Sequence, residues 1–133
     1  MTPSFAITLE PARCLMRITL GGFFDLQHVA ALENDKLDAL IRLGCRPNQH
    51  YTLVDVSACK LQPQDVFHAF QAAISDPRYM SRRIAFVTGG SLARMQVRRM
   101  LARNDAAFFD TVDAAEAWLF ADSADQSHSS VAA

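Results

Sequence analysis

Tyr51-Thr-Leu-Val-Asp-Val56 decides the fold. Apolar residues fall at both odd and even positions of this short run, so neither face suits water. A strand buried on both faces inside a parallel sheet has that pattern. Downstream, Pro63 suits the first turn of a helix, with Val66, Phe67, Phe70, Ala73 and Ile74 on its inner face and Asp76-Pro77 closing it. Ile84-Ala-Phe-Val87 reads as a second buried strand. Thr88-Gly-Gly-Ser91 leads into a helix from Leu92 to about Arg103, and Ala107-Phe-Phe109 is a short last strand. Asp113-Ala-Ala-Glu116 reads as a capping box opening a final helix that carries Ala117, Trp118 and Phe120.

Upstream, Arg46-Pro47-Asn48 makes a loop after a helix capped by Asp25 and stopped at Gly44. Leu26, Val29, Ala30, Leu37, Leu40 and Ile41 give that helix its apolar spacing. Phe5, Ile7 and Leu9 alternate with Ala6, Thr8 and Glu10, and Cys14, Met16, Ile18 and Leu20 repeat the period of two. The short link at Pro11-Ala-Arg13 makes these two strands an antiparallel pair. The order β-β-α-β-α-β-α-β-α predicts an α/β fold: a five-stranded, mostly parallel sheet with the N-terminal strand antiparallel. Residues 1–121 form a single domain, and the Ser- and Ala-rich residues 122–133 are expected to be a disordered tail. Clean alternation in the first two strands predicts a sheet face left open near that edge.

Composition narrows the classes. At 133 residues, half apolar and one fifth charged, the chain is an ordinary globular domain. No apolar run is long enough to span a bilayer, and the N-terminus lacks a basic region followed by an apolar segment. Cys14, Cys45 and Cys59 are odd in number, widely spaced and without CxxC. They read as reduced thiols, which together with the N-terminus predicts the cytoplasm. The net charge of −1 conceals a split. Arg78, Arg82, Arg83, Arg94, Arg98, Arg99 and Arg103 occupy a stretch free of Asp and Glu, while all fourteen acids lie elsewhere. Such a split points to electrostatic recognition.

No catalytic constellation is legible. His28, His50, His68 and His128 show no ligand spacing, so no metal and no cofactor is expected. Ser57 has no GxSxG around it, and Cys59 has no nominated histidine, although His28 or His68 are candidates to approach it in space. Asp55, Ser57, Cys59 and Lys60 follow a strand, where ligands bind in parallel α/β sheets. Gly89, Gly90 and Ser91 before a helix resemble an anion cradle, with Arg94 near enough to help. They lack the GK[ST] ending of a phosphate-binding loop. On the 92–103 helix, Ala93, Val97, Met100 and Leu101 share the core face. Arg94 and Arg98 flank one side of the opposite face, Arg99 and Arg103 the other, with Met95 between them. An apolar stripe edged by guanidinium groups fits an acidic protein partner or a small anionic ligand. Nucleic acid is disfavoured, because the chain is acidic overall and no aromatics interleave the basic residues.

The stretch from Tyr51 to Phe67, with Asp55-Val56-Ser57 at its centre, resembles the middle of a STAS domain. There, a strand ending in an Asp-Leu-Ser-like triplet leads through a loop into the second helix. Arg83 to Arg94 and Phe109 to Leu119 are similar to SpoIIAA-like (STAS/Sec14-type) bacterial proteins, which end in a strand, an aspartate-containing turn and a helix with an Ala-Trp-Leu-like close. The resemblance covers residues 5 to about 120 and implies a SpoIIAA-like fold. It also implies a non-enzymatic binding or regulatory module for a partner protein or a small anionic or lipid-like ligand. Anti-sigma-factor antagonists carry a phosphorylatable Ser or Thr at the start of the second helix. That position falls on Gln64 here, between Pro63 and Asp65, so the phosphoswitch does not carry over. The expected contact residues are Ser57, Cys59, Lys60, Gly89, Gly90, Ser91, Arg94, Met95 and Arg98. A structural homodimer and a small hydrolase or transferase using Ser57 or Cys59 are the alternatives.

Overall fold

Double-sided burial of one strand is the feature around which the chain folds. The computed structural model describes residues 3–46, 48–77, 80–89 and 106–121. Five strands lie in chain order: β1 (Ser4–Glu10), β2 (Leu15–Gly22), β3 (Tyr51–Cys59), β4 (Arg83–Val87) and β5 (Ala106–Phe109). β1 pairs antiparallel with β2, and every later pair is parallel. The α-helices are α1 (Leu26–Leu43), α2 (Gln64–Ile74) and α3 (residues 112–121). The helix expected over 92–103 and the tail expected at 122–133 lie outside the described residues.

Successive residues of a strand face opposite ways, and β3 uses both directions. Val54 and Val56 join Met16, Ile18 and Leu20 of β2, Ile84 and Phe86 of β4, and Val29, Leu32, Ala39, Leu43 and Val66 from α1 and α2. Tyr51 and Leu53 join Leu15, Ala85 and Val87 on the other face, under Ala115 and Leu119 of α3. Leu119 is fully buried, worth about 1.5–3 kcal/mol relative to exposure. β1 uses one face: Phe5, Ile7 and Leu9 pack on the α1 side, while Ala6 and Thr8 stay exposed. Thr19 beside them is exposed as well, so among the described residues this corner of the sheet is open.

Three expectations need correction. On α1 the buried stripe is Val29, Leu32, Ala39 and Leu43, whereas Leu26 and Ile41 are 51% and 79% exposed. The helix rolls to point its small Ala39 and branched Val29 at the sheet, which turns Ile41 outward. Asp25 does cap α1, accepting from the His28 N–H at 2.7 Å, and Gly44 ends it at φ 72. α3 starts differently from the predicted capping box. The Thr111 hydroxyl accepts from the Ala114 N–H at 3.2 Å, which frees Glu116 to pair with arginines instead.

The third correction concerns the thiols. Cys14 and Cys45 are joined in a disulfide with Cα atoms 6.2 Å apart, so only Cys59 is free. Pro11–Arg13 forms a single 3-10 turn that leaves Cys14 left-handed at φ 49, its carbonyl accepting from the Tyr51 N–H at 2.8 Å. Gly44 turns the chain off α1 and delivers Cys45 to the same place. The bridge removes one of the two supports for a reducing compartment. No helix among the described residues is long and apolar enough to cross a membrane.

Candidate functional site

Parallel strands put their following loops at one edge of a sheet, and three sequence-selected positions meet there with a fourth beside them. Ser57 and Cys59 lie at the end of β3, and Lys60 continues from it, its N–H donating to the Gly22 carbonyl at 3.3 Å. Gly89 follows β4, and Asp55 pairs in register with Val87. Gly89 holds φ 59, and a Cβ there would stand 2.8 Å from the Ser57 Cβ. Only glycine lets the two loops approach so closely. Gly90, Ser91, Arg94, Met95 and Arg98 lie outside the described residues, as do Arg99 and Arg103.

The two candidate nucleophiles at this edge are a bonded hydroxyl and a protonated thiol. One oxygen of Asp55 accepts from the Ser57 N–H at 3.0 Å and from its hydroxyl at 2.6 Å, so that hydroxyl is spent on shaping the loop. Burial, and secondarily the Asp55 carboxylate, pushes the Cys59 thiol up to about 11. It stays protonated at neutral pH, unlike an activated nucleophile. The two candidate imidazoles are held on their own helices: His28 Nδ1 lies 2.7 Å from Asp25, and His68 Nε2 lies 3.0 Å from Gln64. Gln64 is the first residue of α2.

Sequence reasoning missed the residues that tie this edge together. Gln62 accepts from the Phe24 N–H at 2.7 Å and donates to the carbonyls of Gly22 at 2.9 Å and Lys60 at 2.6 Å. The β2–α1 and β3–α2 loops are thereby bonded into one ledge. On it stand Phe23 at 44% exposure and Leu61 at 47%, with Leu26 opening α1 beside Phe23. An isolated Gln and two loop hydrophobics carry no periodicity, so no pattern could have found them.

Part of the arginine-rich segment serves the fold. The Arg83 guanidinium stacks 4.5 Å from the Trp118 ring centroid and donates to the Trp118 carbonyl at 2.6 Å. Arg82 donates to Gln49 at 3.2 Å. A second charge cluster pins α3 to the strands. Arg17 reaches Glu10 at 2.5 Å and Glu116 at 2.9 Å, and Arg13 reaches them at 2.7 and 3.1 Å. Hydrogen bonds from Arg13 and then Arg17 hold the Glu10 carboxyl below its usual range. For Glu116, burial pushes upward, and the same two guanidiniums outweigh it. Ser81 lies 3.2 Å from His50 Nε2 and 2.5 Å from the Thr52 hydroxyl, but all three are under a tenth exposed. That serine–histidine contact is a polar tie within the core at the opposite, amino end of the strands.

No described protein family and no curated protein matches the sequence. Solved structures do match in shape. A DUF3478-family protein with a SpoIIAA-like fold from Shewanella loihica PV-4 superposes with a TM-score of 0.69 at 15% identity. The match covers 90% of this chain and 96% of that one. An anti-sigma factor antagonist from Mycobacterium paratuberculosis gives a TM-score of 0.61 at 13% identity over 89% and 94%. The chain therefore has the SpoIIAA-like fold, a five-stranded mixed sheet with helices on both faces.

Proposed function

We propose that this chain uses its SpoIIAA-like fold as a non-enzymatic regulatory module that captures a partner protein at the carboxyl edge of its sheet. The observation that carries the reading is the ledge of Phe23, Leu26 and Leu61, half exposed on loops that Gln62 bonds into one surface. Large apolar side chains on a rigid, polar-rimmed edge are what a protein partner desolvates. Ser57, Cys59, Lys60 and Gly89 border the ledge. Gly90, Ser91, Arg94, Met95 and Arg98 follow Gly89 in sequence, and the two arginines among them suit an acidic partner. The shape likeness to an anti-sigma factor antagonist supports a protein partner in preference to a small lipid-like ligand. Gln64 replaces the phosphoacceptor, so control of binding does not run through phosphorylation at that position.

The test is affinity capture from the source cells followed by reconstitution with the purified partner. Phe23→Glu with Leu61→Glu should weaken the reconstituted complex at least ~100-fold, as loss of two buried apolar anchors does, with the melting temperature held. Arg94→Glu with Arg98→Glu should weaken it too and flatten its salt dependence. A complex unmoved by the Phe23 and Leu61 changes overturns the assignment of this edge. A bound small molecule in native mass spectra, with no protein partner, would favour the ligand reading.

A further inference from the structure

Among the described residues β1 is an edge strand, and the usual protections are missing from its own sequence. Exposed edges are commonly blunted by proline, lysine, a bulge or brevity, because an open row of N–H and C=O groups templates another strand. β1 runs seven residues, Ser-Phe-Ala-Ile-Thr-Leu-Glu, in unbroken register with β2, and its one charge stands at the very end. Among the described residues no strand lies on its outer side. Alongside that edge runs a groove of ≈ 260 Å³ lined by Phe5, Ala6 and Ile7 of β1 and by Asp35, Asp38 and Arg42 of α1. β1 forms the floor, the lining is mostly polar, and the far wall carries both signs of charge.

The charges on that wall are self-complementary. Asp35 and Arg42 are seven residues apart, two helical turns or ~10.5 Å along one stripe. α1 returns from β2 to the parallel strand β3, so it runs in the same direction as β1. A two-fold axis that pairs β1 antiparallel with a second β1 therefore also sets the two α1 helices antiparallel. With that axis crossing between Asp35 and Arg42, each acid faces the partner's base. Arg42 already reaches its own Asp38 at 3.1 Å, so each guanidinium would sit between two carboxylates. Isologous pairing demands this reciprocity, in which residue i meets j and j meets i.

We infer that the β1 edge and the α1 stripe Asp35–Asp38–Arg42 form the interface of a two-fold homodimer, in which two five-stranded sheets join as one. The occupant of the groove is a second copy of this chain. The surface is distinct from the Phe23–Leu61 ledge at the strand ends, so a dimer would present two such ledges.

Sedimentation velocity from low to high micromolar concentration tests the inference, with circular dichroism melts confirming that each variant folds. The wild type should dimerise with concentration. Asp35→Arg and Arg42→Asp should each weaken self-association roughly tenfold or more by setting like charges face to face. An equimolar mixture of the two variants should regain wild-type association. At these two positions the first variant carries only bases and the second only acids, so in the mixed dimer every base again faces an acid. A wild type that stays monomeric overturns the inference. So does a dimer indifferent to both substitutions, or a mixture that associates no better than its components. Partner capture at the ledge is measured separately and is unaffected by these outcomes.

Discussion

Replacing Cys14 and Cys45 by serine opens a covalent loop with a sequence separation of 31. The loop-closure entropy that the bridge removes from the unfolded chain is worth about 3.7 kcal/mol at that length. Both residues sit where the native backbone already brings them, Cys14 through its turn and its carbonyl's bond to Tyr51, Cys45 through Gly44. The folded state of the double variant should therefore be nearly unchanged, and the whole effect falls on the unfolded state. A chain of 133 residues unfolds with an entropy near 0.28 kcal/mol/K, so the melting temperature should drop by about 13 °C. Differential scanning calorimetry of oxidised wild type, reduced wild type and the double variant reads this directly. The two bridge-free samples should agree. Thiol titration of unfolded, unreduced protein should find a single group, Cys59. Oxidised and reduced melts that coincide, or three titrating thiols, would refute the reasoning.

Gly89→Ala should destabilise the fold by roughly 1–3 kcal/mol, combining a left-handed backbone with a collision against Ser57; urea denaturation checks it, and an unchanged midpoint counts against the close approach. Arg83→Ala removes the stack on Trp118 and the bond to its carbonyl. It should cost about 1–3 kcal/mol and red-shift the emission of the chain's one tryptophan as the ring loses its cover. The carboxyls of Glu10 and Glu116 are held below their ordinary value of 4.5. The stability from their pairing with Arg13 and Arg17 is thus present above that value and lost as pH falls through the lower folded values. The gap in urea midpoint between wild type and Glu116→Gln should be open at neutral pH and narrow in acid; a gap constant with pH refutes the pairing. Alkylation of Cys59 in the native state should be slow at neutral pH and rise toward pH 11, following its raised thiol.

The fold could be read from sequence wherever local chemistry and burial coincide. Tyr51 to Val56 is apolar on both faces because helices cover both, and Asp25 and Gly44 bound α1 because capping is decided within four residues. Where the deciding partner is distant in sequence, reading failed. Ile41 shares its spacing with Val29, yet only packing against the sheet shows which of two overlapping stripes turns inward. Glu116 looked like half of a capping box until Arg13 and Arg17, about a hundred residues earlier, claimed it. All of β2 and all of α1 lie between Cys14 and Cys45, and no spacing rule announces their meeting. At the candidate edge, Ser57 and Cys59 were legible as strand-end residues, and Gly89 as a turn residue. Gln62 was not, because Phe24, Gly22 and Lys60 meet it through backbone groups of two separate chain segments.

The disulfide and the ledge occupy opposite ends of the same strand. Cys14 is bonded to the start of β3 through Tyr51, while Ser57 and Cys59 close that strand, a distance of ~26 Å at 3.3 Å per residue. Effects at sites so far apart, with no shared partners, add with little coupling. Breaking the bridge should therefore lower the equilibrium population of the folded domain without altering the proposed partner capture at the ledge. Redox conditions would then govern how much of this protein is folded, and would leave the surface proposed for partner capture as it was.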